Sequence, residues 1–150
     1  MSKVLLLTAV SGWSAGCAGT VSKAARLQLK TELLAMHSTD QEVRRIFSEK
    51  RPEDFTPEDV ARLNSVDRQN TARLKEIIRQ FGWPTKRLVG QDGVNAAFII
   101  LQHADHSFQK EMLATIERAF DRHQLSGEDY AMFVDRVLLG DGKQQRYGSQ

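Results

Sequence analysis

Cysteine is almost missing from this chain. Of 150 residues only Cys17 carries a thiol, which excludes an internal disulfide and any metal site built on several cysteines. Proline is nearly as rare: Pro52, Pro57 and Pro84 are the whole set, each at or between stretches of helical pattern, and that placement argues against an all-β fold. Neither sign of charge prevails. The 21 basic and 19 acidic residues leave a formal charge of +2 with no long run of one sign, so the footprint of a nucleic-acid-binding protein is lacking. Internal repeats and low-complexity segments are absent as well. What is present, 41% apolar and 27% charged residues, suits one globular domain with a core of its own.

The position of the lone cysteine is informative. Lys3 precedes an apolar stretch, Val4 to Val10, too short to span a bilayer, and Ser11-Gly12-Trp13-Ser14-Ala15-Gly16 leads from it to Cys17. That layout resembles a bacterial lipoprotein signal, with Ser14 where such signals usually carry leucine. The resemblance implies that Cys17 becomes the lipidated first residue and anchors the protein to a membrane of the cell envelope. The alternative is a cytoplasmic protein in which residues 4–10 begin a buried element and Cys17 is a small hydrophobe.

Ala18 to Ser22 reads as a tether, and residues 23–150 as a single α-helical domain. Ala25, Leu29, Leu33 and Met36 make one apolar face, largely opposite Lys23, Arg26 and Lys30, as in an amphipathic surface helix. Ser38 with Gln41 three residues later resembles a capping box and predicts a second, short helix through Val43, Ile46 and Phe47. After a loop over Glu49 to Phe55, Thr56-Pro57-Glu58-Asp59 supplies an N-cap, a proline in the first turn and two acids at the positive end of the helix dipole. That helix runs to Phe81 and stops at Gly82 and Pro84. Trp83 is expected to fold back onto the core. The stretch 83–93 reads as an irregular loop, its Gly90 and Gly93 serving either a turn or a close approach to a ligand. Ala96 to Leu101, six apolar residues in a row, predicts a buried central helix with His103 on its last turns. Phe108, Met112, Ile116 and Phe120 mark the next helix, with Gln109 on its inner edge. Ser126-Gly127-Glu128-Asp129 opens the last one, striped by Tyr130, Phe133, Val134, Val137 and Leu138, with Asp135 beside the stripe and Gly140 at its end. The polar tail Asp141 to Gln150 fits either disorder or a folded flap. The sum is an all-α bundle of about five helices.

One helix breaks its own pattern. Val60, Leu63, Asp67, Asn70, Leu74, Ile77 and Phe81 follow at three- and four-residue steps, so a carboxylate and an amide stand where two core residues belong. Burying such groups without partners is costly. The helix therefore points either at an internal polar network or into a cavity.

From about Asp67 to Gln150 the chain is similar to an uncharacterised bacterial family catalogued only as a domain of unknown function. The shared pieces are Asp67 with Asn70, Gly82-Trp83-Pro84, Val89-Gly90, Gln102-His103-Ala104-Asp105, Gln109, Asp135-Arg136-Val137, and Gly142-Lys143 with Gln145, Tyr147, Gly148 and Gln150. The resemblance implies a common fold and a common site and brings no activity with it. Its polar residues are those that helical geometry turns inward or sets at helix ends. A histidine paired with a carboxylate acts as general acid or base near neutral pH. One reading is thus a hydrolase- or lyase-like enzyme acting on a small molecule, with His103 as acid/base oriented by Asp67 or Asp135. Asn70, Gln102, Gln109, Arg136, Lys143 and Tyr147 are its candidate ligand contacts, Arg136 or Lys143 for an anionic group. The other reading is a protein-binding module, such as an inhibitor or assembly factor of the envelope. There the inward groups only satisfy one another, and Arg146 and Tyr147 in the tail supply contact chemistry. His103, Asp105 and His106 do not share a helical face, so neither a metal site nor a cofactor is expected.

Overall fold

Residues 21–150 are described by a computed structural model of the protein. The expected signal and Cys17 lie outside the described residues. The chain enters the fold at Ser22, whose hydroxyl accepts the Ala25 backbone N–H at 3.1 Å and caps helix α1 (Lys23–Glu49). The helix continues through Ser38, so the expected break there and the separate short helix after it do not occur. No glycine or proline interrupts residues 23–49, and the Thr39 hydroxyl donates back to the Ala35 carbonyl at 3.1 Å, which leaves the backbone helical. One stripe, Leu29, Leu33, Met36, Asp40 and Val43, therefore runs unbroken along α1. Asp40 occupies a core position in it and is 1% exposed.

A short 3-10 turn (Pro52–Asp54) fills the following loop, and α2 (Pro57–Phe81) begins with a reciprocal cap. The Asp59 N–H donates to the Thr56 hydroxyl at 3.1 Å and the Thr56 N–H to the Asp59 carboxylate at 3.0 Å. The helix ends at Gly82, whose φ of 73° suits glycine. Its stripe is buried at Asn70, Leu74 and Ile77, whereas Val60 near the start is open to solvent.

The expected irregular loop is largely helical. Helix α3 (Lys86–Gln102) starts directly after Thr85 and is interrupted at Gly90 alone, with φ 74° and ψ 172°. That conformation is accessible to glycine and almost nothing else, so one kinked residue accounts for the loop-like composition around it. Gly93 has a different reason: a Cβ there would stand 2.6 Å from Val89 Cβ. Gly90 thus serves the kink and Gly93 the close packing of the helix. Beyond them Val94, Ala97, Phe98 and Leu101 are enclosed at the centre of the bundle. Helices α1 and α2 pack on each other and on α3. Helices α4 (His106–Asp121) and α5 (Gly127–Gly140) pair with each other, and the Phe98 and Phe133 rings, 6.3 Å apart, join α3 to α5. Trp83 is buried against this core as expected. Helix α3 ends at Gln102 with His103 as its cap, and Asp105 caps α4 by accepting the Phe108 N–H at 2.9 Å. The fold is all-α, with five α-helices and no strand among the described residues.

The tail does not leave the body of the protein. Gly142, at φ 71°, lets the N–H groups of Gly142 and Lys143 close α5 on the carbonyls of Leu139 and Leu138, both at 2.9 Å. Residues 146–149 then fold back onto Asp135.

Replacing Gly93 by alanine forces the α3 backbone away from Val89, because a Cβ cannot rotate aside. Gly93→Ala should lose about 1–3 kcal/mol of stability, read as a fall of several degrees in Tm by calorimetry. An unchanged Tm would mean that the kink at Gly90 gives way instead.

Candidate functional site

The polar positions of three helices meet. Asp40 in the middle of α1 lies 2.8 Å (Oδ1) and 3.0 Å (Oδ2) from Nδ1 of His103, the residue that ends α3. One turn along α1, Arg44 brings Nε to 3.2 Å from Asp40 Oδ1 and donates through Nη2 to Asp67 Oδ1 of α2 at 2.5 Å. Burial of Asp40 raises its pKa. The hydrogen bond and charge of His103 and the charge of Arg44 outweigh burial, so its carboxyl titrates below the ordinary range and is ionised at neutral pH.

An ionised carboxylate only accepts. The two short contacts to Nδ1 are therefore attractive when Nδ1 carries the proton, and Nε2 is then the basic atom of the neutral ring. Arg44 Nε also stands 2.8 Å from Nδ1. That N–H donates to Nδ1 in the tautomer that leaves Nδ1 bare, and with Nδ1 protonated both N–H groups turn to Asp40 as their acceptor. The His103 side chain is 21% exposed, and its Nε2 has no hydrogen-bond partner among the described residues.

Next to this network lies the C-terminal end of α3. Gln109 Nε2 of α4 donates to the Gln102 carbonyl at 2.9 Å, which the helix end leaves free, and more weakly to that of Leu101 at 3.4 Å, which also accepts the Ala104 N–H. Arg136 of α5 approaches the same Gln102 carbonyl through Nη1 at 3.4 Å and donates through Nη2 to Oε1 of Gln150 at 3.0 Å. Burial, and then the charge of Arg44, push the Arg136 pKa down from its ordinary value. Two polar groups remain unsatisfied here among the described residues: both ends of the Gln102 side-chain amide, itself 3% exposed, and Nε of Arg136.

The other expected site residues have separate employments. Asn70 Nδ2 donates to the Met36 carbonyl at 3.3 Å and fastens α2 to α1. Asp135, fully buried under the tail, accepts the backbone N–H groups of Arg146 (2.6 Å), Tyr147 (3.0 Å) and Ser149 (2.9 Å) and the Ser149 hydroxyl (2.9 Å). Lys143 pairs with Asp141 at 3.1 Å. Tyr147 is 49% exposed, its ring 6.3 Å from that of Tyr130. Asp105 caps α4, and His106 bonds Asp141 at 2.9 Å, so neither joins His103. An open groove of about 650 Å³ beside α1 and α2, lined by Leu27, Gln28, Thr31 and Arg73 among others, shares no residue with the His103 network.

Asp67, Gln102, His103 and Arg136 are thus brought together, and Gln109 supports them. Sequence reasoning missed Asp40 and Arg44. Their signal is the uninterrupted stripe of α1, in which Asp40 stands four residues after Met36 and Arg44 four after Asp40.

The chain belongs to a family of unknown function, DUF6624, which it matches over residues 27–150. The matched range contains Asp40 and Arg44. No curated protein and no solved structure matches the chain.

Burial pushes the Asp135 carboxyl up, but the donors from Ser149, Tyr147 and Arg146 outweigh it and bring its pKa to about 2, against an ordinary 3.8. A carboxyl depressed in the folded state gives its full stabilisation above its unfolded pKa and loses it as pH falls through the folded one. The amide resonances of Arg146, Tyr147 and Ser149 should therefore hold their positions down to about pH 4 and move together towards random-coil values with a midpoint near 2. Movement centred near 4 would show that the tail is not fastened by these bonds.

Proposed function

We propose that this family member acts on a small molecule with His103 as general acid/base, in hydrolase- or lyase-like chemistry, and that the orienting carboxylate is Asp40. The observation that supports this reading is the contact of Nδ1 with a carboxylate only 1% exposed. When Nε2 takes up a proton, the imidazolium lies against Asp40 in surroundings of low polarity, where such a pair is stabilised most. Arg44, tied to Asp67, holds the Asp40 carboxylate from the other side. Asp135, committed to four bonds from the tail, has no part in the proton transfer. Under the same proposal Cys17 carries the lipid, and the domain stands on an envelope membrane behind the tether at residues 18–22. A competing reading, a module that binds an envelope protein, draws on the half-exposed Tyr147 and the exposed Arg146 of the folded tail.

A reagent that acylates neutral imidazole nitrogen tests the reading without a substrate. With diethyl pyrocarbonate at about pH 8, where histidines are neutral, His103 should be modified faster than the exposed His123 in peptide maps of the intact protein. Asp40→Asn should slow His103 several-fold and leave His123 unchanged, with circular dichroism verifying the fold. If His103 reacts more slowly than His123, and equally in both proteins, its environment does not activate it and the acid/base role falls.

A further inference from the structure

The Nε–H and Nη2–H groups of arginine form an edge that matches two oxygens of one anion. Arg73 gives that edge to Glu32, at 2.5 Å (Nε–Oε1) and 3.0 Å (Nη2–Oε2), and Arg51 gives it to Asp54, at 3.0 and 3.3 Å. Arg136 differs from both. Its Nη2 meets a single amide oxygen, Oε1 of Gln150, at 3.0 Å, and its Nε is buried with no acceptor among the described residues. No carboxylate pairs with it there either. Arg44 is paired with two carboxylates, Asp40 and Asp67, and Arg136 with none among the described residues, while the two cations are near enough to oppose each other. The Gln102 amide, 3% exposed and unsatisfied at both ends, belongs to the residue whose carbonyl Arg136 touches. A buried donor without an acceptor destabilises a fold, and an oxyanion on this edge would remove that cost.

We propose that the Nε/Nη2 edge of Arg136 binds an oxyanion, a carboxylate or phosphate group of the molecule on which His103 acts. The buried Gln102 amide is a second contact, and Gln150 Oε1 is the stand-in that the anion displaces. The identity of the ligand rests on the proposed role of His103; the anion site does not. Gln102 precedes His103 in the chain, and Arg44, 2.8 Å from the His103 ring, is the cation that acts on Arg136, so one ligand can engage both. Displacement asks little of the tail. Gln150 is held by exposed contacts, Nε2 to the Met132 carbonyl at 3.1 Å and its backbone to the Gln145 amide at 2.9 and 3.4 Å. Asp135 keeps residues 146–149 fastened while the Gln150 side chain turns away.

The test follows the Arg136 Nε–Hε resonance of the full chain by NMR, assigned by its loss in Arg136→Lys, during titration with sodium phosphate or sodium acetate. Sodium chloride at matched ionic strength is the control. A saturable shift in the millimolar range with phosphate or acetate, and none with chloride, is expected. The anion that saturates first separates the phosphate class from the carboxylate class. Arg136→Lys, followed through the Gln102 and His103 backbone amides, should weaken binding at least about tenfold, since lysine lacks the fork. Gln150→Ala should tighten it, because the competing amide is gone. Absence of saturation with both anions in the wild type and in Gln150→Ala would overturn the proposal, and so would saturation that survives Arg136→Lys. Anion binding at Arg136 in a protein whose His103 acylates at an ordinary rate supports this site and removes only the acid/base reading.

Discussion

A carboxylate in the middle of α1 constrains everything around it. Asp40 is enclosed, and a carboxylate left unpaired there would destabilise the fold by several kcal/mol, about 3–5 for a broken buried pair. Its direct partners are Gln41 and Arg44 of α1 and His103 at the end of α3, and Arg44 ties Asp67 of α2 into the network. Hydrogen bonds are directional where apolar contacts are not. The network therefore fixes how α1, α2 and α3 are rotated against one another, which the leucine and isoleucine stripes alone would leave loose. An apolar residue at position 40 would pack as well or better on general grounds. Stability thus gives no reason for the carboxylate, whereas the tautomer of His103 depends on it directly.

Two neighbouring residues of α5 divide structure from site. Asp135 receives donors from three residues of the tail and is satisfied on both oxygens, so its charge is spent on closing the chain over α5. Arg136, the next residue, keeps an unused N–H on its most selective edge. Folded proteins leave few buried polar groups without partners, and among the described residues those of Gln102 and Arg136 fall on either side of one carbonyl. Trp83 Nε1 is the other unpartnered buried group among the described residues.

The architecture was legible where one periodicity governs a whole element. The Thr56 cap, the Gly82 stop, the apolar run at 96–101 and the inward turn of Asp67 and Asn70 all follow from 3.6-residue spacing and capping chemistry. The misreadings have one cause, a local signal taken above a tertiary one. Ser38 and Gln41 imitate a helix start, but Leu29 and Leu33 before them and Val43 after them are buried on one continuous face, and that burial holds α1 together. A break at Ser38 loses the register that turns Asp40 inward, and with it the central residue of the site and its arginine. Gly90 misled in a similar way, one residue of unusual φ giving a whole stretch the look of a loop. The inward turn of Asp135 was readable; its partners were not, because a tail that wraps by turns has no period to read.

The placement of the site at the end of α3 also sets what it can hold. The carboxyl end of a helix is the negative end of its dipole and favours cations, which agrees with the gathering of Arg44, His103 and Arg136 around the last turn. An anion brought there works against that dipole. Arg44 cannot offset it, since Asp40 and Asp67 already claim its charge. The attraction must come from the guanidinium of Arg136, and a lone spherical anion would gain only its point charge. A group with two oxygens gains both N–H bonds of the edge. Selection at this position therefore falls on the shape of the anion as much as on its charge, and the carbonyl of Gln102, shared by Gln109 and Arg136, holds that edge beside the one imidazole whose Nδ1 is committed to Asp40.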